Sequence, residues 1–158
     1  MAREEVYAVL VSLAADTLLL PNAAVAEVIS AERIDPPPAG APNWLAGRVT
    51  YNNRQLAVVR FEVLNGSGAT GDSRRTRLAI IQPITGALRT GQYAIVCQGY
   101  PHLVTLNRAA LRKEALVSTD NEDLVLTRVA IANTSALIPN LEKLEQILAP
   151  FEAAPAMA

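Results

Sequence analysis

Pro36, Pro37, Pro38 and Pro42 interrupt the chain between two apolar stretches and limit what can form on either side. Proline offers no backbone N–H to a neighbouring strand, so Ile34 to Asn43 is not a central strand. An extended polyproline crossing over the surface is expected there. The flanking stretches must therefore fold as separate short elements. Before the interruption, an apolar run ends at Pro21 and a Val25-Ala26-Glu27-Val28 segment follows. After it, Trp44–Tyr51 and Arg54–Phe61 flank Asn52-Asn53. Asparagine tolerates the positive φ that both central positions of a two-residue hairpin demand, so a tight hairpin is expected there.

The same alternation of short apolar runs and breakers continues along the chain. Glu5–Leu13 is apolar on both faces and rich in β-branched residues, which predicts a buried strand; Ala14-Ala15-Asp16 turns it, and Thr17–Leu20 returns. Val25–Ile29 is short, either extended or opened by one helical turn. Arg77–Gln82 and Tyr93–Gln98 read as strands joined by a turn-rich Pro83–Gly91 link, and His102–Leu106 and Leu124–Ala132 complete the set. Gly66–Thr76 is polar and glycine-rich, the segment expected to be locally disordered. The end changes character: Asn140 caps LEKLEQILA, whose Leu141, Leu144 and Leu148 share one face, so a docked helix is expected through Ala149, stopped by Pro150. With 51% hydrophobic but only 4% aromatic residues, the core must come from Val, Leu, Ile and Ala, which suits strands. Many short strands with little helix predict a mainly all-β fold of barrels or a sandwich.

Composition removes several functions. A net charge of −1 lacks the basic excess of a duplex binder, so no nucleic-acid partner is expected. There is no apolar run near the length of a membrane span, so no direct membrane insertion is expected. The N-terminus lacks a cleavage-site pattern, and a single cysteine suits a reducing compartment; together they predict a cytoplasmic protein. Cys97 and His102 are the sole thiol and imidazole, and they read as a small buried cysteine and a surface histidine rather than a nucleophilic pair. Two such donors cannot hold structural zinc, and no metal or cofactor site is expected. Asp120-Asn121-Glu122-Asp123 lacks calcium-loop spacing and reads as a solvated turn, while Arg74–Arg77 reads as a solvated basic flank.

What remains suits binding. Trp44, Tyr51, Arg48 and Arg54 surround the hairpin and are the residue types enriched at interaction hot spots, although Trp44 alternatively fills the core. Glu27 is a charge within an apolar segment, so it is either a protective edge charge or a partner contact.

These residues, in this order, resemble the CheW-like family, adaptors that couple chemoreceptors to a histidine kinase. Leu20-Pro21, Val25-Ala26-Glu27-Val28, Pro42, Gly47 and Leu56–Phe61 fall where that family keeps its "lp…V.EV" segment, proline link and "GvxNxRGxxxPvvdl" hairpin. Leu137–Leu144 looks like its closing "liDlekLl". The resemblance runs from about Val6 to Leu148. It implies two packed five-stranded SH3-like β-barrels with a short C-terminal helix, intertwined in one CheW-like domain over residues 1–150, with a disordered tail over 151–158. It also implies a non-enzymatic scaffold whose partners are the regulatory domain of a CheA-type kinase and the cytoplasmic tip of a methyl-accepting chemoreceptor. By carry-over, Val25, Glu27 and Gly47 match positions of kinase or receptor contact. The family's Arg-Gly falls on Asn52-Asn53, so Asn52 matches the receptor-facing arginine by position but not by chemistry, and Arg54 is its candidate replacement. The family proline falls on Ala57 and the acidic residue on Arg60. This hairpin and the QGYPHLV stretch look more like the ChpC-like branch, which serves pilus-type systems for twitching motility. A module of the same fold working outside the receptor–kinase array is the alternative.

Overall fold

The computed structural model describes residues 6–14, 16–37, 39–66, 75–88, 91–106, 111–116, 120–131 and 134–151. β1 (Val6–Ser12) and β2 (Thr17–Pro21) pair as an antiparallel hairpin with Ser12 opposite Thr17. The chain then leaves to build a separate sheet. β3 (Val25–Ser30), β4 (Leu45–Tyr51), β5 (Arg54–Val59), β6 (Thr76–Ile81) and β7 (Tyr93–Gln98) form this inserted five-stranded sheet in the order β3-β6-β7-β5-β4. β8 (His102–Leu106), β9 (Leu111–Glu114), β10 (Val125–Ile131) and β11 (Thr134–Pro139) return to the first hairpin, giving a terminal sheet of six strands ordered β8-β1-β2-β11-β10-β9.

The two sheets share one plan. Each holds a parallel pair, β5 with β7 (Val58 opposite Ala94) and β2 with β11 (Leu18 opposite Leu137). In each, the strand fourth in the order runs into a helix: α1 (Phe61–Leu64) follows β5 and α2 (Leu141–Leu148) follows β11. The order β3-β6-β7-β5-β4 therefore matches β8-β1-β2-β11-β10, with the terminal copy closed by a hairpin from the other end of the chain. The mainly β, two-unit fold with a short C-terminal helix is as expected, but β9 adds a sixth strand where five were expected.

Burial explains the apolar runs. In β6, Leu78 and Ile80 face a core inside the inserted sheet with Val49, Leu56, Val58 and Ala94, while Ala79 and Ile81 face a core shared by both sheets. That shared core also takes Val9, Val11, Leu18, Leu20, Leu137 and the α2 leucines. A smaller core of Ala8, Leu19, Leu106, Val129 and Ala136 fills the terminal sheet. Strands covered on both faces lose the polar alternation of a half-exposed sheet.

The Asn52-Asn53 turn adopts φ of 49° and 64°, as the hairpin requires, with Tyr51 opposite Arg54. The strand expected to reach Phe61 stops at Val59, because Phe61 starts α1 and turns its ring fully inward. Asn140 caps α2 as expected, its side chain accepting from the Lys143 N–H at 3.1 Å. Ala149–Phe151 then continue as one 3-10 turn. Phe151 is packed, and the remainder of the expected tail, residues 152–158, lies outside the described residues, as do residues 67–74 of the expected flexible loop.

Polar ties brace the terminal unit and join it to the inserted one. Arg128 on β10 donates to Asp120 from Nε at 2.6 Å and to Asp16 from Nη2 at 2.7 Å, and these two hydrogen bonds, Asp120's foremost, raise the guanidinium pKa above its usual range. Asn65, just past α1, donates to Asp120 at 3.1 Å and accepts from the Asn121 N–H at 2.7 Å. Asp120, expected in a solvated turn, is instead buried: a carboxylate removed from water is tolerable only with such partners. On α2, the fully buried Glu145 carboxylate accepts from the Ile84 and Thr85 N–H groups, both at 2.9 Å, and from the Thr85 hydroxyl at 2.6 Å. That anchors the C-terminal helix to the link between β6 and β7.

Candidate functional site

The outer strands of the inserted sheet, β3 and β4, curl towards each other without pairing along their length. One side-chain contact bridges them, and a backbone bridge joins β4 to the chain just beyond β3. The Tyr51 hydroxyl donates to Glu27 Oε2 at 2.6 Å. Further along, Asp35 and Arg48 exchange backbone hydrogen bonds of 2.7 and 3.0 Å. Between them lies a cavity of about 370 Å³ lined by Ile29, Ser30, Glu32, Val49 and Thr50. A sheet that stops short of closure leaves backbone donors and acceptors at its seam, the chemistry on which strand addition relies.

The Tyr51 phenol pKa is raised, first because its proton is donated to Glu27, then by desolvation and by the Glu27 charge. Glu27 is thus an exposed edge charge with one partner inside the molecule. Val25, at the start of β3, is half-buried opposite Ile81 and packs against the shared core. At the hairpin tip Asn52, Asn53 and Arg54 are exposed, and Arg54 Nη2 donates to Gln92 Oε1 at 2.8 Å.

The other end of β4 has a different construction. The register with β5 shifts between Leu45 and Gly47, a bulge that re-aims the side chains around it. Gly47 sits at φ 139°, and a Cβ there would stand 1.9 Å from the Asp35 carbonyl oxygen. Only glycine allows the Asp35–Arg48 bridge, and Gly47 itself is buried rather than presented. Trp44 is half-buried, packing on the shared core and meeting Phe151 edge-to-face at 5.1 Å and 86°. Arg48 Nη2 donates to the Phe151 carbonyl at 3.3 Å, while its buried Nε has no acceptor among the described residues.

The residues singled out from sequence therefore separate into two groups. Glu27, Tyr51, Asn52, Asn53 and Arg54 gather at the hairpin end, and Trp44, Gly47 and Arg48 towards the bulge end, from about 10 Å (Arg48) to about 23 Å (Trp44) from Tyr51 along an extended strand. Asp35 and Phe151 belong to the second group and were missed. Asp35 contributes through its backbone, which leaves no residue-type signal, whereas an aromatic residue directly after a helix stop was a readable sign of docking.

Cys97 and His102 fall on different sheets. Cys97 on β7 is buried, which pushes its thiol up to about 11, and His102 stands exposed on β8 of the other sheet. Among the described residues no three His, Cys, Asp or Glu side chains cluster as metal ligands, and no helix is long and apolar enough to cross a membrane.

Fold and seam together define a β-sheet interaction module. Its family follows from comparison: the model of the CheW-like domain matches residues 8–147, and the chain belongs to the CheW-like domain family. Among solved structures it is similar to the scaffolding protein TtCheW from Thermoanaerobacter tengcongensis, at 16% identity with a TM-score of 0.72, over 89% of this chain and 87% of that one. A search of curated proteins found no match.

Proposed function

We propose that this protein is a non-enzymatic scaffold of chemotaxis-type signalling that holds the regulatory domain of a CheA-type histidine kinase, with a chemoreceptor tip as its second partner. The observation that carries this reading is the incompletely closed β3–β4 seam, bridged by Glu27 and Tyr51 beside an exposed hairpin. Residues 1–150 act as one cytoplasmic unit, recruited to membrane-bound receptor arrays through its partners. The hairpin supports a place in a pilus-type system of the ChpC-like kind. Asn52 and Asn53 supply the positive φ of the turn without the family's arginine, and Arg54 is tied to Gln92. Kinase contact through Val25 and Glu27 is thereby favoured over receptor contact through the hairpin.

Titration calorimetry of the cognate kinase regulatory domain and of a receptor-tip fragment tests this. The expected result is binding of the kinase domain, weakened at least about tenfold by Glu27→Arg, equivalent to roughly 1.4 kcal/mol. Absence of binding to either partner overturns it. A second reading, the same module acting outside the array, is favoured by the loss of the arginine and gains ground if only the kinase domain and receptor fragment fail while motility still depends on the protein.

A further inference from the structure

We infer that the C-terminal 3-10 turn is a latch: Phe151 occupies a site at the start of β4, formed by Trp44 just before the strand and Arg48 within it, that otherwise receives a carboxylate and an adjoining apolar group from the kinase regulatory domain. The inference rests on the adaptor reading above. The site is preformed, because the Gly47 bulge and the Asp35 bridge fix the backbone on which both side chains sit. Its occupant sits on a short, partly exposed turn. One edge-to-face ring contact at 5.1 Å and one hydrogen bond at 3.3 Å connect Phe151 to the site, beside its packing on the shared core, and the adjoining Pro150 is exposed. The turn is nonetheless delivered accurately, since α2 is clamped by three buried leucines and by Glu145 on the Ile84 and Thr85 amides.

The fit is chemically incomplete in one informative respect. Arg48 offers Nη2 and Nε side by side; the Phe151 carbonyl satisfies the first, and the second is buried without an acceptor. A carbonyl has one oxygen, whereas a carboxylate has two and accepts from both nitrogens at once. A partner segment bearing an Asp or Glu beside an apolar side chain therefore matches the site better than Phe151 does. The latch and that segment compete, so the free protein masks its own contact until a partner displaces the turn.

Trp44 is the only tryptophan in the chain, so its fluorescence reports the latch directly. Emission and affinity for the kinase regulatory domain are measured for the wild type, Phe151→Ala and Phe151→Leu, the last keeping apolar cover in case the alanine variant loses its fold. The expected result is a red-shifted Trp44 emission and about three- to tenfold tighter binding in the variants, the range that losing one aromatic pair allows. Phenylacetate, which carries a ring and a carboxylate, should bind Phe151→Ala several-fold more tightly than benzyl alcohol does. Unchanged emission, unchanged or weaker partner binding, or equal binding of the two small probes overturns the latch while leaving the adaptor reading intact. Failure of the wild type and both variants to bind the kinase domain overturns that reading and, with it, the latch's role against this partner.

Discussion

The inserted and terminal sheets follow the same strand order, yet they treat their edges in opposite ways. The inserted sheet brings its edges together through Glu27–Tyr51 and Asp35–Arg48, leaving a short seam. Among the described residues no pairing joins the terminal sheet's edges, β8 and β9, although Leu106 and Leu111 share its small core. β9 exposes Arg112, Lys113 and Glu114, the charged defence typical of an edge strand, while β8 exposes Leu103, which pairs with Val9 of β1. The inserted sheet is also continuous in sequence, whereas the terminal sheet depends on a splice between the chain's two ends at Leu18 and Leu137. The inserted unit is therefore organised by local contacts and carries the candidate site, and the terminal unit is organised by distant ones and carries the polar ties.

That contrast predicts where the molecule breaks. The largest effect belongs to the terminal side. Arg128→Ala strands the buried Asp120 carboxylate and should lower stability by about 3–5 kcal/mol in urea denaturation, while Arg128→Met with Asp120→Leu should recover much of the loss. If the single variant is mild, the ties do not distinguish the two units.

Alkaline pH comes next and acts on the inserted sheet. Cys97 has a folded pKa raised to about 11 from an ordinary value of 9.0, so its contribution is complete below pH 9 and is lost as pH rises towards 11. The expected loss is about 2–3 kcal/mol across that window. Tyr93, whose phenol is raised mainly by burial and then by the Glu145 charge, adds to the same fall. Cys97→Ala should flatten the profile, and equal slopes for variant and wild type would remove the thiol from the account.

Gly47→Ala should follow at about 1–3 kcal/mol, from strained φ and the clash with Asp35, with faster exchange of the Asp35 and Arg48 amides. Slow exchange there in the variant would show that the bridge does not hold the seam. Tyr51→Phe is the smallest. It removes an exposed hydrogen bond, so the melting temperature should barely move, and any change should appear in partner binding instead.

Much of the inserted unit was legible in the sequence because its signals are local. Pro36, Pro37 and Pro42 fall in a connection that joins the sheet only through the Asp35 bridge, and Asn52-Asn53 set the hairpin. β9 was not legible, since LRKE looks like a polar linker until a neighbour pairs with it. β11 was missed as well, because TSALIP is short and its parallel partner β2 lies at the other end of the chain. Glu145 could have been noticed: it falls on the apolar stripe of α2 with Leu141, Leu144 and Leu148, where a charge demands a partner. Arg128 gave no such sign, since its partners Asp16 and Asp120 come from two other turns.

The sequence by itself determined that this chain builds short strands, turns tightly at two asparagines and ends in a docked helix, because each depends on backbone preference or on side-chain period over a few residues. Only the tertiary structure decided that the hairpin and Trp44 stand at opposite ends of β4, that Phe151 packs on Trp44, and that strands distant in sequence complete a single sheet. Those outcomes rest on contacts between residues far apart along the chain, which periodicity and propensity cannot encode and which only simultaneous burial of both partners selects.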